Sequence, residues 1–239
     1  MNKTHEKQSA SRQIIDAQQS IHENLEKTVL KHLKFKHKKP ISQHTLIIFN
    51  QLKPVILAAI AETRSLIFDS CCGTAMSTSI LAEKNPDALV IGIDRSAIRL
   101  GKEYNNKLPD NVRLVQAECA DFWHLAKQQG WKLQRHTILY PNPYPKSKHL
   151  KRRWHGHPAF SDLLALGGEI ELRTNWKIYA DEFCMAVKIA SDQSQQCNLV
   201  CTGTEIIQAV KPLTLFEKKY QESGQKLYRT IIRGGKREF

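Results

Sequence analysis

Four polar residues stand at or just after the ends of short apolar runs. They are Asp69, Asp94, Glu118 and Asn142. Asp94 is placed to accept hydrogen bonds from ribose hydroxyls, as acids do in sites for NAD and for S-adenosylmethionine, and Glu118 could meet an adenine amino group. Taken singly, each acid is better explained as a solvated or helix-capping residue. Because parallel strands bring their carboxyl ends to one sheet edge, the four together indicate a binding site.

The turn after Asp69 reads D-S-C-C-G-T-A, a degenerate form of the glycine-rich turn D-x-G-x-G-x-G. Gly73 remains of its three glycines, and Cys71 and Ala75 occupy the other two positions. Small residues still let the backbone approach a ligand closely, although the turn alone is a weak signal. No lysine follows as in a P-loop, which argues against a nucleoside triphosphatase.

Residues 140–153 read Y-P-N-P-Y-P-K-S-K-H-L-K-R-R. Three alternate prolines fix their own φ and push their neighbours out of the helical region, so the segment is expected to be stiff and extended. Five cations follow the prolines: Lys146, Lys148, Lys151, Arg152 and Arg153. A rigid rim that leads into concentrated positive charge suits a polyanion held over a pocket. A proline-rich loop followed by a solvated basic turn is the alternative.

The charge of the whole chain favours an anionic partner. Its formal net charge is +13 over 239 residues, and the excess is concentrated in residues 31–39, 146–153 and 218–237. A single charged run is usually a solvated face, but three in one basic chain favour a phosphate-binding surface.

Composition and cysteine spacing restrict the class of protein. Hydrophobic residues make up 41% of the chain, which is ample for a core. No apolar run approaches a membrane span, and the N-terminus lacks a secretory signal. The cysteines, at positions 71, 72, 119, 184, 197 and 201, form no C-x-x-C pair. Reduced thiols in a cytoplasmic protein are therefore expected, and no metal site is predicted because Cys197 and Cys201 have no second ligand pair.

The positioning elements follow from hydrophobic periodicity. Apolar runs predict strands at residues 65–69, 88–94, 111–116, 136–140 and 169–173. Helices are predicted between them at residues 76–84, 96–105 and 158–166, and from Trp176 to Ala190, where Trp176 and Tyr179 are expected to pack in the core rather than stack on bases. Such alternation predicts an α/β fold, a doubly wound parallel sheet with helices on both faces.

The N-terminal part is predicted to be different. Residues 1–40 should form a basic extension, with a disordered tip and then an amphipathic helix, and residues 41–239 should form the domain. A second helical region, residues 42–64, carries Pro54, which is expected to kink or split it.

These motifs resemble the bacterial tRNA (guanine-N7)-methyltransferase family of class I S-adenosylmethionine enzymes. The family pattern P-D-P-W-x-K-x-R-H-x-K-R-R is similar to P-N-P-Y-P-K-S-K-H-L-K-R-R at residues 141–153. Residues 167–179, G-G-E-I-E-L-R-T-N-W-K-I-Y, resemble a second family motif. Residues 214–217, T-L-F-E, with the later Gly224 and Tyr228, resemble a third. The likeness runs in order from residue 65 to residue 233, and the first 60 residues match poorly.

The resemblance implies a Rossmann-like methyltransferase sheet, S-adenosylmethionine as the cofactor and tRNA as the partner. It implies cofactor contacts from Asp69, Asp94, Glu118 and Asn142, and Asn142 is also the expected catalytic residue. Gly73 is expected to contact the cofactor as well, because it lies in the turn that follows Asp69. Substrate contacts are implied for Lys146, Asn175, Thr214, Leu215, Phe216 and Glu217. The charge of Lys148, Lys151, Arg152 and Arg153 predicts contacts with the RNA backbone. Thr214 and Glu217 also fit a capping box that opens a helix closed by Gly224.

Two departures from the family pattern bear on activity. Asn142 and Asn175 are amides where the family has acids, and Tyr144 replaces a tryptophan. Guanine N7 carries an in-plane lone pair, so methyl transfer to it needs positioning and electrostatics rather than a base. Losing two carboxylates predicts weaker cofactor or guanine binding.

Other functions remain open at this point. A catalytically weakened paralogue that binds RNA or cofactor, or one that methylates another RNA base, is the main alternative. An NAD-dependent dehydrogenase fits the sheet but leaves the basic segment unexplained. The tRNA position and the oligomeric state are left open.

Overall fold

A computed structural model of the chain describes residue 14 and residues 17–35, 38–102, 108–193 and 198–235. The helices of this part are α1 (Leu25–Lys34), α2 (Gln43–Ala61), α3 (Met76–Lys84), α4 (Ala97–Leu100), α5 (Cys119–Gln128), α6 (Phe160–Ala165), α7 (Lys177–Asp192) and α8 (Leu215–Glu222). The strands are β1 (Leu66–Ser70), β2 (Leu89–Asp94), β3 (Val112–Gln116), β4 (Arg135–Leu139), β5 (Glu169–Thr174), β6 (Leu199–Ile207) and β7 (Leu227–Gly234). Two 3₁₀ turns, Ser147–Arg152 and Trp154–Gly156, follow β4.

Within the described residues, seven strands form one sheet in the order β3-β2-β1-β4-β5-β7-β6. Strands β1 to β5 pair in parallel, whereas β7 pairs antiparallel with both β5 and β6. The predicted α/β class with helices on both faces is confirmed. The sheet is mixed rather than wholly parallel, because β7 enters between β5 and β6 from the opposite direction. Strand order reverses between β1 and β4, and the crevice at their carboxyl ends is where such sheets bind ligands.

The two faces of the sheet have separate cores. One face carries Phe68, Ile91 and Leu172 under α1, α2, α5, α6 and α7. The other face carries Ile67 and Val90 against α3. The predicted apolar face of α7 is confirmed, since Tyr179, Phe183, Val187 and Ala190 are all buried, and Trp176 just before it is only 8% exposed. The apolar face of α7 is thus the face that packs against the strands.

Helix α2 is not split at Pro54, and its length bears on a second prediction. Pro54 lies inside it, yet the helix is continuous from Gln43 to Ala61. By length and composition alone this 19-residue helix could also cross a membrane, so the statement that no run approaches a membrane span was wrong. A core helix passes the same test, and α2 buries Phe49, Leu52 and Ile56 against the sheet.

Helix α1 confirms the amphipathic helix predicted within residues 1–40. Its Leu25 and Val29 are 1% exposed and belong to the main core beside α7. Its basic residues Lys31 and Lys34 lie in the last turn, where the helix dipole favours cations. The predicted disordered tip lies outside the described residues, and the domain boundary at residue 40 stays a prediction.

The helix predicted over residues 96–105 is shorter than expected. Helix α4 covers Ala97–Leu100, and Ser96 caps it by accepting a hydrogen bond from the Arg99 N–H. Residues 103–105 lie outside the described part of the chain. Gly101, directly after the helix, ends it in the described part.

The expectation of reduced thiols is wrong for one pair. Cys184 of α7 and Cys201 of β6 form a disulfide, with their Cα atoms 5.5 Å apart. Packing of α7 on β6 brings the two residues together, which their spacing in the sequence did not indicate. Cys71, Cys72 and Cys119 are free, and Cys197 lies outside the described residues.

Candidate active site at the carboxyl edge of the sheet

The turn between β1 and α3 uses left-handed backbone at alternate residues. Cys71, Gly73 and Ala75 have φ angles of +60°, +61° and +63°. These are the three glycine positions of the D-x-G-x-G-x-G pattern, and glycine adopts such angles without steric cost. Cys71 and Ala75 adopt them at a cost of about 1 kcal/mol each. The degenerate turn therefore keeps the backbone path that three glycines would give.

Asp94 joins this turn to the end of β2. Its carboxylate accepts hydrogen bonds from the Gly73 N–H at 3.0 Å and the Ser96 N–H at 2.8 Å, and the Arg99 guanidinium lies 3.5 Å away. A Cβ built on Gly73 would meet no atom within 4 Å, so the space beside the turn is open. An open turn beside a strand-end carboxylate fits the nucleoside part of S-adenosylmethionine.

Asp69 does not face this open space. Its carboxylate is fully buried and accepts hydrogen bonds from the hydroxyl groups of Ser77 at 2.6 Å, Thr78 at 2.7 Å and Thr137 at 2.8 Å. Burial raises the pKa of Asp69, and the three hydroxyl groups oppose that rise. These three bonds occupy the Asp69 carboxylate in the structure, and the cofactor contact from Asp69 stays a prediction. The side chain fastens the start of α3 to β1 and β4.

Glu118 lies on the other side of Asp94, at the N-terminus of α5. It is half-buried, and its N–H donates to the Thr45 hydroxyl at 3.2 Å, which ties α2 to the end of β3. The sulfur of Cys119 lies 3.8 Å from the sulfur of Cys71 in the first turn. The loops that carry Gly73, Asp94 and Glu118 are thus in mutual contact, as the sequence predicted.

The loop after β4 is held in a strained path. Tyr140 and Tyr144 have φ angles of +52° and +44°, which non-glycine residues keep only where neighbouring contacts enforce them. Asn142, between them, is exposed, and its side-chain oxygen accepts a hydrogen bond from the Tyr144 N–H at 3.3 Å. This places the amide at the mouth of the crevice between β1 and β4.

Most of the predicted cations of this loop are on the surface. Exposed side chains are Lys146, Lys148, Lys151 and Arg152. The Arg152 guanidinium lies 5.8 Å from the centre of the Tyr144 ring. Desolvation and the nearby cations, Arg152 first among them, lower the pKa of His149. The surface beside Asn142 is therefore strongly positive and open to an anion.

Arg153 is the exception among these cations, because it is fully buried. Its Nε and Nη2 atoms donate to the Tyr144 carbonyl at 3.2 and 3.1 Å, and Nη2 also donates to the Lys146 carbonyl at 3.2 Å. Its Nη1 atom pairs with the buried Glu182 at 2.6 Å, and the guanidinium lies 4.8 Å from the centre of the Trp176 ring. Arg153 thus differs from its exposed neighbours, and the RNA contact assigned to it stays a prediction. Arg153 fixes the loop from inside.

The segment before α1 completes this buried network. Gln18 donates its N–H to the Pro145 carbonyl at 2.9 Å, and its side-chain oxygen accepts from Arg153 at 3.2 Å. The Glu182 carboxylate also accepts from the His22 N–H at 2.9 Å and lies 2.9 Å from His155 Nε2. The N-terminal segment is therefore part of the support of the site.

Residues 214–217 form the start of α8. Thr214 caps the helix by accepting from the Glu217 N–H at 3.0 Å, which confirms its half of the capping box, whereas the Glu217 carboxylate accepts from the N–H of Leu213, one residue before the cap. Glu217 is fully buried and also accepts from the Tyr140 hydroxyl at 2.9 Å and from Arg173 at 2.8 Å. Its carboxylate is thus occupied within the protein, and the substrate contact from Glu217 stays a prediction.

The neighbouring positions remain accessible. Phe216 is 49% exposed and lies nearly parallel to the Tyr220 ring, 6.1 Å between centres. Leu215 is half-buried. Asn175, directly after β5, donates its amide to the Gln225 side-chain oxygen at 2.8 Å. Asn142 and Asn175 thus follow neighbouring strands and hydrogen-bond to different partners.

Three residues of the network were missed by sequence reasoning: Tyr140, Arg173 and Glu182. Two of them had a signal. Glu182 lies on the otherwise apolar face of α7, three residues after Tyr179, and a carboxylate there requires a buried partner. Arg173 ends the E-I-E-L-R run, whose charges alternate with a period of two and so occupy one face of β5.

Comparison with known proteins identifies methyltransferases of similar sequence. The family model described as "Putative methyltransferase" matches residues 63–230, more than half of the chain. A relative from Ectopseudomonas mendocina named tRNA (guanine-N(7)-)-methyltransferase is 28% identical over 66% of this chain and 67% of its own length. A relative of the same name from Aquifex aeolicus is 29% identical over 64% of this chain and 51% of its own length. Another, from Mycoplasma pneumoniae, is 28% identical over 72% of this chain and 85% of its own length.

Solved structures share the fold. A structure titled an antibiotic-related methyltransferase matches with a TM-score of 0.53 and 15% identity, over 83% of this chain and 97% of that one. The 16S rRNA methyltransferase KamB matches with a TM-score of 0.54 and 13% identity, over 81% and 94%. Because the family model described as "Putative methyltransferase" matches residues 63–230, the chain belongs to that family.

Proposed function

We propose that the protein transfers a methyl group from S-adenosylmethionine to N7 of a guanine in tRNA. One observation carries the proposal: the open turn at Gly73 with Asp94, and the exposed cations after Asn142, lie at the same switch point of the sheet. The names of its relatives support the choice of tRNA and of N7. The cytoplasm, where tRNA is modified, is the location we propose.

The residues at the edge have separate roles in this proposal. Asp94 and Glu118 hold the cofactor's nucleoside, and Gly73 lets the backbone approach it. S-adenosylmethionine, when bound there, would supply the electrophilic sulfonium methyl group for transfer to the N7 lone pair. Asn142 and Asn175 orient the guanine through its N–H groups. Lys148, Lys151 and Arg152 hold the RNA backbone, and Lys146, Thr214, Leu215 and Phe216 lie beside the base.

Two experiments test the proposal in sequence. Calorimetry with S-adenosylmethionine should show binding, and incubation with labelled cofactor and bulk tRNA should then give 7-methylguanosine on nucleoside analysis. A protein that does not bind the cofactor, or one that labels a different base, would refute it.

Restoring the two family acids should raise activity. In Asn142→Asp with Asn175→Asp, carboxylates would accept charge-assisted hydrogen bonds from the guanine N–H groups, and such bonds are about twice as strong as neutral ones. We expect kcat/KM for tRNA to rise about tenfold, equivalent to about 1.4 kcal/mol. Initial rates of methyl transfer at subsaturating tRNA measure this ratio.

The control is a variant with the same added charge elsewhere. Asn50 and Gln51 are exposed on α2, so Asn50→Asp with Gln51→Glu should leave the rate unchanged. If the wild type methylates tRNA as fast as the restored variant, the two amides do not limit the activity.

A further inference from the structure

Part of the second sheet face forms a cleft of about 430 Å³ that no helix of the described residues fills. Its floor comes from β4, β5 and β7, and its walls come from α3 and the segment before α8. Charged residues in its lining are Lys84, Arg135, Glu171, Arg173, Lys211 and Arg229. Five of these six are cations, and the ion pairs around them decide how much positive charge the cleft keeps.

The arginines of the floor are fixed by carboxylates. Arg135 and Arg173 both pair with Glu171, at 3.3 and 2.7 Å, and Arg229 pairs with Glu205 at 2.6 Å. Paired arginines keep N–H groups for a ligand, but much of their charge is neutralised. The floor is therefore a rigid set of donors rather than the main source of positive potential.

The net positive charge of the cleft comes from the residues of its walls. Lys84 ends α3 and Lys211 lies between β6 and α8, and both side chains are exposed. Among the described residues, ion pairs involve Lys127, Lys177 and Lys218 but neither of these two. These two ammonium groups line the same cleft as the arginine donors, and their charge favours a phosphate group there.

The cleft adjoins the proposed substrate site. Leu213 lines the cleft, and its N–H is bound by Glu217, which also holds Arg173 of the floor. A nucleotide held beside Phe216 would therefore have its backbone next to the cleft. We infer that this cleft binds a backbone phosphate of the RNA substrate between Lys84 and Lys211, an inference that rests on the proposed function.

The test uses the full chain with Lys84→Ala and Lys211→Ala together, and tRNA binding measured by filter retention over a range of salt. We expect the tRNA Kd to rise about tenfold at moderate salt. The slope of log K against log salt should fall by about 1 for each lysine that contacts phosphate. The Kd for S-adenosylmethionine should not change. Lys188→Ala, an exposed lysine on α7 over the opposite face, is the matched control.

The possible outcomes separate the two proposals. Unchanged affinity and salt slope in the double variant, with a wild type that binds tRNA, would overturn this inference alone. A wild type that binds no tRNA would overturn it together with the proposed function. Calorimetry with inorganic phosphate tests whether the cleft binds a small anion instead. If the double variant loses phosphate binding but keeps the tRNA affinity of the wild type, the cleft binds a small anion and the RNA assignment is overturned.

Discussion

Replacing Glu182 with glutamine is expected to lower the free energy of unfolding by about 3 kcal/mol at pH 7, because the Arg153 guanidinium would stay buried without its counter-charge. Both side chains are fully buried, 2.6 Å apart. Glutamine keeps an acceptor of similar shape, so the loss reports the charge rather than a cavity. Urea denaturation followed by circular dichroism measures it.

The effect should depend on pH in a defined direction. Burial opposes ionisation of Glu182, but the hydrogen bond from His155 and the charge of Arg153 outweigh it and lower the pKa of Glu182 from 4.5 to about 2. A carboxylate with a lowered folded-state pKa contributes stability above its unfolded pKa and loses it as the pH falls through the folded one. The difference between wild type and variant should therefore be full above about pH 5 and shrink towards pH 2.

A neighbouring carboxylate provides the control. Asp181 lies on the same helix and pairs with Lys177 at the surface, where the lysine is 59% exposed. Asp181→Asn should cost less than about 0.5 kcal/mol, as exposed helix pairs do. Equal costs for the two substitutions, or a Glu182→Gln cost that does not change between pH 5 and 2, would contradict the role given to the buried pair.

The second large effect concerns the cofactor. Asp94→Asn is expected to raise the Kd for S-adenosylmethionine by about 10- to 100-fold, or about 1.4–2.8 kcal/mol. An amide has one oxygen, so it cannot accept from both the Gly73 and Ser96 N–H groups, which the carboxylate now satisfies at 3.0 and 2.8 Å. The amide would also lose the charge-assisted bonds to ribose hydroxyls.

Calorimetry with the folded variant measures this affinity, after circular dichroism has shown that the sheet is retained. Asp87, an exposed acid at the opposite edge of the sheet just before β2, gives the control: Asp87→Asn should bind like wild type. A folded Asp94→Asn protein whose Kd stays within about threefold of wild type, less than 0.7 kcal/mol, would remove Asp94 from the cofactor site.

The loop of residues 140–153 shows how far sequence reasoning reached. Its prolines predicted a stiff rim, and its cations predicted an anion-binding surface, which Lys146, Lys148, Lys151 and Arg152 provide. Nothing local distinguishes Arg152 from Arg153, since both are cations in one run. Which of them turns inward depends on Glu182, a residue of another helix.

The sequence by itself determined the sheet class, the edge at which the strand-end polar residues meet and the turn at Gly73, because these follow from periodicity and from small residues at fixed spacing. Tertiary structure alone decided which charges face that edge. Asp69, Arg153 and Glu217 carry the charges expected of ligand-binding residues, yet each is fully buried and saturated by partners distant in sequence. The physical reason is that a charge can be buried once its hydrogen bonds and counter-charge are supplied, and only the folded chain supplies them.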